Sequence, residues 1–342
     1  MWRLVTGSDC PALIVYIKEE VVVNKINKMV LVLLAIAAAQ VTAADFPTKP
    51  VRFIVAFPPG SATDIVGRLY TQKWTEMWGQ TVLADNRPGA GGSIAAAIAA
   101  KATADGYTLL MHSSGHTVNP SLYAKLPFDT LKDFVDIGPL AQQPNVMVTH
   151  PSSPYKTVQD VLAAAKAKPG TLNFASAGVG SGTHLNLEKL KLMSKVNMTH
   201  VPYKGSAEAL GDVVGGRVDF YFAPVSTMQG QLQSGKIRAI AVSTIKRSSV
   251  LPNVPTIAES GVPGFDFSLW FGIWAPAGVP QPVIAKIANS IKAAGNDPVV
   301  KAKLAGLGNE PMEMTPAQFA KFVREEIKTG ATVLQAAGIK PQ

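Results

Sequence analysis

Two stretches of the chain have the composition of loops that hold an anion. The first is Phe57-Pro58-Pro59-Gly60-Ser61-Ala62-Thr63-Asp64, the second Ala175-Ser176-Ala177-Gly178-Val179-Gly180-Ser181-Gly182-Thr183-His184. Each follows a short apolar run and precedes a segment with helical spacing. A turn of this kind, poor in bulky side chains, leaves backbone N–H groups pointing outward at a helix N-terminus, where partial positive charge and unpaired donors favour an anion. Hydrogen bonds to a charged group contribute about 1.5–3 kcal/mol apiece, so three or four offset the several kcal/mol needed to desolvate one carboxylate. The absence of Lys and Arg from both loops is therefore compatible with carboxylate binding. The plainer alternative is an ordinary turn, with Ser61, Thr63 or Asp64 capping one helix and Ser181 or Thr183 the other. Phosphate binding fits less well: the Lys-Ser/Thr ending of a P-loop is missing, and Gly178-Val179-Gly180-Ser181-Gly182-Thr183 lacks the third glycine of a dinucleotide fingerprint.

A third chemical segment is Met111-His112-Ser113-Ser114-Gly115-His116-Thr117-Val118-Asn119-Pro120, directly after an apolar run. It would sit at the carboxyl edge of a sheet, where ligands of open α/β folds bind. His112 and His116 suggest a metal, but Ser, Gly and Pro around them argue against the helix that would bring both onto one face, and no metal is expected. Ser181, His184 and Asp219 supply the residue types of a hydrolytic triad. No Gly-x-Ser-x-Gly elbow surrounds Ser181, however, so capping and packing explain Ser181 and His184 better than nucleophilic catalysis does.

Short apolar runs alternating with helical patterns position these segments, the signature of an α/β fold with mostly parallel strands. Strands are expected at Val51–Phe57, Val82–Leu83, Tyr107–Met111, Val146–Val148, Leu172–Ala175, Val218–Phe222 and Ile237–Val242. Helices are expected after Asp64, where Ile65, Val66, Leu69, Tyr70, Trp74, Met77 and Trp78 recur at three- and four-residue spacing, and at Ser93–Ala104, Val158–Ala167 and Thr183–Ser194. Pro-rich connections lead to an extended apolar segment at Phe267–Ala275, and the tail reads as amphipathic helices at Pro282–Ala294 and Pro316–Ala336. The sequence contains no convincing internal repeat.

The chain has 342 residues, 47% of them hydrophobic and 16% charged, which excludes a disordered or fibrous protein. Its formal net charge of +9 is spread along the chain without a basic run or interleaved aromatics, so nucleic acid is not an expected partner. At the N-terminus, the basic stretch Asn24–Lys28, the apolar run Met29–Ala39 and small-residue cleavage sites around Val41–Ala44 read as a secretory signal peptide. The apolar run falls well short of the roughly 20 residues that span a bilayer. Residues 1–22 carry Asp9, Glu19 and Glu20 where a simple basic region belongs, so translation is expected to start near Val23 or Met29. Cys10, the single cysteine, lies in this extension and not behind the apolar run, which leaves the mature chain without thiol chemistry or a lipid anchor.

The motifs resemble those of one family. Phe57-Pro58-Pro59-Gly60 with Thr63-Asp64-Ile65 and Arg68, Asn86-Arg87-Pro88-Gly89-Ala90-Gly91-Gly92, and Ala104-Asp105-Gly106-Tyr107-Thr108-Leu109 are similar to the Bug (TctC-like) family, the extracytoplasmic substrate-binding proteins of tripartite tricarboxylate transporters. The likeness continues through Pro169–Phe174, Gly178–Ser181, His184-Leu185, His200–Gly205, Gly215–Asp219, Trp270–Gly272 and Ala275–Gly278, nearly the whole predicted mature chain.

The resemblance implies an α/β fold of the second periplasmic-binding-protein type: two lobes, two crossovers and a ligand clamped between them. Lobe one would be residues 45–144 with 268–342, lobe two residues 145–267, after a signal segment 1–44. The two cleft loops of the family fall on the two anion cradles, and family ligands are mostly small carboxylates. On this basis Phe57 would pack against the ligand body. Gly60, Ser61, Ala62 and Thr63 would donate to carboxylate oxygens from one side, and Ser176, Ala177, Gly178, Gly180 and Ser181 would form the other. Ser113, His116 and His184 would tune the far end, Tyr203 and Ala223 would form walls, and Asp64 would pair with Arg68 or cap its helix. Two departures stand out: Gly60-Ser61 replaces the Gly-Gly of many members, and Ala223 replaces an Asp, which weakens the case for an amino-acid ligand. The expected protein is a monomeric periplasmic carrier without cofactor that delivers a small carboxylate, a dicarboxylate or aromatic acid, to a membrane permease. The alternatives are a secreted serine hydrolase using Ser181 and His184, or a sensor that binds the same ligand.

Overall fold

The computed structural model describes residues 46–341. The expected signal peptide, its cleavage site, the alternative starts and Cys10 lie outside the described residues. In the first part of the chain, β1 (Val51–Val55) leads into α1 (Ala62–Trp78), β2 (Val82–Asn86), α2 (Ser93–Ala100), β3 (Thr108–Ser113) and the short α3 (Asn119–Leu122). A long strand, β4 (Phe134–Thr149), then opens a second series: α4 (Val158–Ala167), β5 (Asn173–Ser176), α5 (Gly182–Ser194), β6 (Thr199–Pro202), α6 (Ser206–Val214), β7 (Phe220–Pro224), α7 (Val225–Gln233) and β8 (Arg238–Val242). The chain returns through β9 (Ser268–Pro276) and finishes with α8 (Gln281–Asn296), α9 (Pro298–Gly306), β10 (Glu310–Pro311) and α10 (Pro316–Ala336).

The strands run in the order β2-β1-β3-β9-β4-β7-β5-β6, with β10 and β8 also on β4. The molecule has two halves because β4 serves two sheets. Residues Phe134 to Pro144 pair antiparallel with β9, and Asn145 to Thr149 pair with β7 and β8. The chain therefore changes halves twice, once within β4 and once between β8 and β9. This is the two-lobed, two-crossover α/β architecture that the resemblance implies. The sheet is mixed rather than mostly parallel, since β4 and β9 run antiparallel to their neighbours. Sequence reading found only the end of β4 because Gly138, Pro139 and Pro144 interrupt its apolar pattern. Register shifts at Asp136/Gly138 and Pro139/Ala141 accommodate Gly138 and Pro139, and Pro144 ends the pairing with β9 opposite Ser268.

Apolar layers on both faces hold the strands in place; on β1 Phe53 packs on Trp74 while Ile54 faces the other way. In the first half Ile54, Leu110, Trp270, Trp274 and Phe319 pack together. In the second half, alternate residues of β4 and β7 face opposite ways: Met147, Phe220 and Phe222 toward α4 and α5, and Val146, Val148, Tyr221 and Ala223 toward α6 and α7. Each fully buried Val, Ile, Leu, Met or Phe among them contributes about 1.5–3 kcal/mol. Each cradle loop thus springs from the carboxyl end of a strand, β1 or β5, that is anchored on both faces. Among the described residues no helix is long and apolar enough to cross a membrane.

Candidate functional site

The two anion-cradle loops fold the same way. Ser61 is the N-cap of α1 and its hydroxyl accepts from the Asp64 amide at 3.3 Å; Ser181 caps α5 and accepts from the His184 amide at 3.3 Å. Both caps sit in extended backbone, with φ −70° and ψ 160° at Ser61 and φ −66° and ψ 156° at Ser181. In each loop the third residue after the cap reaches back to the glycine before it: the Gly60 N–H donates to Asp64 Oδ2 at 2.9 Å and the Gly180 N–H to His184 Nδ1 at 3.3 Å. Gly60 and Gly180 both need left-handed backbone, φ 77° and 80°. A Ser-x-Thr-Asp turn and a Ser-x-Thr-His turn are therefore two copies of one device, a local repeat too short and too altered to register as sequence periodicity.

This arrangement decides which donors remain. Within the loops, Ser61 N–H donates to Pro58 O, Ala177 N–H to Thr183 Oγ1, Gly178 N–H to Ser176 Oγ and Ser181 N–H to Gly178 O. The first-turn amides of Ala62 and Thr63 on α1, and of Gly182 and Thr183 on α5, have no acceptor within their own helices. Among the described residues they donate to no protein acceptor. All four residues line a single small cavity of about 20 Å³, together with Phe57, Ser61, Ser113, Ala177, Ser181, Ser206, Pro224 and Leu269. The two helix N-termini converge on that cavity from opposite halves of the molecule. Its volume holds about one water molecule, so a larger guest enters only if the halves move apart.

The supporting contacts come from motif residues. Burial alone would raise the Asp64 carboxyl, but hydrogen bonds from Arg68, Asn86 and the Gly60 amide outweigh it and hold the group below the usual carboxylate range. Arg68 Nε lies 2.9 Å from Asp64, and Asn86 Nδ2 donates at 2.9 Å to both Asp64 Oδ1 and Phe57 O. Asn86 thus ties the end of β2 to the first cradle. Behind the second cradle, the His184 ring stacks on His200 at 4.1 Å, and His200 Nε2 lies 2.6 Å from Ser176 Oγ. Burial pushes His184 down to about 3 and His200 down to about 4, with Lys191 nearby reinforcing both. Both imidazoles are neutral, so the α5 terminus keeps its positive end uncompensated by side-chain charge.

Of the expected site residues, the cavity brings together Phe57, Ser61, Ala62, Thr63, Ser113, Ala177 and Ser181. The others lie elsewhere. The Gly60, Gly178 and Gly180 amides are engaged inside their own loops, and Asp64 spends its carboxylate on Gly60, Arg68 and Asn86. Ser176 is committed to His200 and to its own turn. His116 is fully buried among Phe128, Phe134 and Trp274, away from the cavity, and His184 faces Gly180, His200 and Glu188. Tyr203 donates to Asp212 at 2.5 Å. Ala223 points into the core against α6 and α7, and it is Pro224, on the opposite face of β7, that reaches the cavity.

Sequence reading missed Gly182, Thr183, Ser206, Pro224 and Leu269 as cavity residues. The first two were legible in principle, because a capping Ser leaves the next two amides free. The strand register that selects Pro224 and Leu269 has no local signal. Tyr221, pushed up to about 12 by burial, lies beside the side chains of Ser206 and Thr183, two residues that line the cavity.

Ser181, His184 and Asp219 do not form a hydrolytic triad. The Ser181 hydroxyl donates to Gly178 O at 2.7 Å, His184 Nδ1 accepts from Gly180, and Asp219 accepts from the Asn173 amide at 2.7 Å. Ser181, His184 and Asp219 each serve a separate local structure. Among the described residues no group of three or more His, Cys, Asp or Glu side chains is placed to hold a metal ion.

Comparison with known proteins gives a consistent result. The model of the tripartite tricarboxylate transporter family receptor matches residues 66–339. Protein BugT of Bordetella pertussis is 36% identical over 305 residues, 89% of this chain and 94% of that protein. The structure of R. palustris Rpa4515 with adipate is 35% identical, with a TM-score of 0.84 over 87% of this chain and 100% of that one. MatC from Rhodopseudomonas palustris, with bound malate, is 32% identical, with a TM-score of 0.79 over 84% of this chain and all of the other.

Proposed function

The chain belongs to the tripartite tricarboxylate transporter receptor family, whose members are periplasmic solute-binding proteins rather than enzymes, and from that premise we propose that it captures a small dicarboxylate between its halves and delivers it to a membrane permease. The observation that carries this reading is the convergence of four first-turn amides, those of Ala62, Thr63, Gly182 and Thr183, on one cavity. One carboxylate placed there accepts from both halves at once, so binding favours the state in which they are closed. Four charge-assisted hydrogen bonds of about 1.5–3 kcal/mol each are sufficient to desolvate it without a cationic side chain. The hydroxyls of Ser113 and Ser206 supply further polar contacts, and Phe57 and Leu269 supply apolar surface for the carbon chain.

The adipate and malate bound in two similar structures support a short, flexible acid with two carboxylates as the ligand. In this reading the lobes are residues 45–144 with 268–342, and residues 145–267. The hinge is the change of partner within β4 together with the β8–β9 connection, and the mature protein acts as a monomer in the periplasm after removal of its signal peptide. A thermal-shift panel of mono-, di- and tricarboxylates, amino acids and aromatic acids tests it. A cognate acid at about 100 times its dissociation constant adds about 2.7 kcal/mol of stability. A panel in which no acid raises Tm, or only neutral compounds do, removes the carboxylate reading.

A further inference from the structure

The cavity is sealed on two sides by contacts in which glycine meets the opposite half of the molecule. On one side, a Cβ at Gly91 would lie 2.6 Å from Val179 O, and a Cβ at Gly115 would lie 2.7 Å from Gly180 O. From the second half, a Cβ at Gly180 would lie 2.5 Å from Leu122 Cδ1, and one at Gly182 would lie 2.8 Å from Ser114 Oγ. On the other side, a Cβ at Gly205 would meet Pro58 Cγ at 3.0 Å. Asn119 is seated in the first of these contacts. It is fully buried, its Oδ1 would be 3.5 Å from a Cβ on either Gly91 or Gly180, and among the described residues neither of its side-chain polar atoms has a partner. A buried amide left without partners opposes closure, because water satisfies it when the halves part.

We propose that this glycine seam, with Gly115 and Gly205 as its positioning residues, sets how closely the two halves approach and thereby the affinity for ligand. The proposal rests on the reading of the protein as a carrier that closes on its guest. The physical reason is distance. The four amides reach one carboxylate only when two backbones pass closer than any β-carbon permits, and a hydrogen bond weakens steeply with misalignment. The seam glycines differ in what a substitution would do. Gly91 and Gly180 occupy left-handed backbone, where alanine is strained whatever surrounds it. Gly115 does not require that conformation, and Gly205, at φ −177° and ψ 175°, is extended backbone open to any residue. Alanine at either of these two positions changes the interface between the halves and little else. For Gly115 the obstacle is a backbone carbonyl that cannot rotate aside, so the halves must separate by on the order of 1 Å to restore ordinary contact.

The test compares Gly115→Ala and Gly205→Ala with Gly230→Ala, a helix position whose added Cβ would meet nothing within 4 Å. Adipate is the probe for affinity, and spin labels at the exposed positions Leu131 and Met193, one in each half, report separation with and without it. Gly115→Ala is expected to weaken adipate binding at least tenfold and to lengthen the distance in the adipate-bound state, with ligand-free Tm unchanged. Gly205→Ala is expected to act in the same direction but less, because a proline ring yields more readily than a carbonyl. Gly230→Ala keeps wild-type affinity and distance. Wild-type affinity and distances in Gly115→Ala overturn the proposal. If wild type binds no acid, the carboxylate reading fails, and the seam is then judged on the ligand-free distance distribution: Gly115→Ala must deplete its shortest component, and an unchanged distribution overturns it.

Discussion

The amide of Ala62 offers the most direct test of how the ligand is held, because it can be deleted without damaging the helix that carries it. Ala62 is the first residue of α1, where proline is favoured: its missing N–H has no intrahelical acceptor and its fixed φ suits the first turn. The residue before a proline is driven out of the helical region, and Ser61 already sits at φ −70° and ψ 160°. Ala62→Pro should therefore fold normally, with stability unchanged or raised by about 0.4–1 kcal/mol through the stiffer unfolded chain. It removes one charge-assisted hydrogen bond, worth about 1.5–3 kcal/mol, so the Kd for adipate should rise about ten- to 150-fold. The ring carbon that replaces the hydrogen also intrudes on the ligand, which makes the lower figure a floor. Ala62→Gly, which keeps the N–H and loses only a methyl, should shift Kd by less than about threefold. Isothermal titration with adipate, beside urea unfolding of all three proteins, is the measurement. A folded Ala62→Pro protein with wild-type affinity would show that this amide does not touch the ligand, and a protein that no longer folds would refute the assignment of Ala62 to the first turn.

Asp64→Asn should cost about 1–3 kcal/mol in urea unfolding, because the Gly60 amide, Arg68 and Asn86 all donate to a group that then offers one acceptor oxygen and two donors; an unchanged midpoint would mean that the carboxylate does not organise the loop. Gly92→Ala should cost about 2–5 kcal/mol, since Gly92 has φ 89° and an added Cβ would fall 2.0 Å from His112 Nε2. A Tm within a degree of wild type would contradict that packing. Stability should also fall on acidification below about pH 6.5. Burial pushes His112 down to about 4, His184 to about 3 and His200 to about 4, so the unfolded chain takes up protons between those values and its own value near 6.5 while the folded chain does not. Each such group contributes a slope of about 1.4 kcal/mol per pH unit in that window, and the stability is regained as pH rises through it. Scanning calorimetry from pH 7.5 to pH 4.5 should show Tm falling, with a shallower fall in His200→Asn; a flat wild-type profile would refute neutral burial.

Much of the molecule was legible one residue at a time. The cradle loops, their Ser caps, α4 at Val158–Ala167 and α10 at Pro316–Ala336 follow from local rules: a capping hydroxyl, a stripe of apolar residues every third or fourth position, a glycine where the chain must turn left-handed. The capped helix start that follows each loop was legible for the same reason, since it depends on local backbone donors and not on distant side chains. The first half of β4 was hidden because its prolines and Gly138 break the strand pattern, and only pairing with β9 on one side, with bulges to absorb them, makes it a strand.

What the sequence determined by itself, then, is that each half presents a helix start able to hold an anion. That the two starts meet, and which side chains join them at the cavity, were decided by tertiary structure. Which amides remain free is local as well: bonds to residues two to four positions away engage the Gly60, Gly178 and Gly180 donors and leave those of Ala62, Thr63, Gly182 and Thr183 without a protein acceptor among the described residues. The register of β7 turns Ala223 into the core and Pro224 toward the cavity, and the core of aromatic rings around Trp274 withdraws His116 from it. The meeting of the two starts, the register of β7 and the burial of His116 depend on contacts between residues far apart in the chain, which no pattern along it encodes.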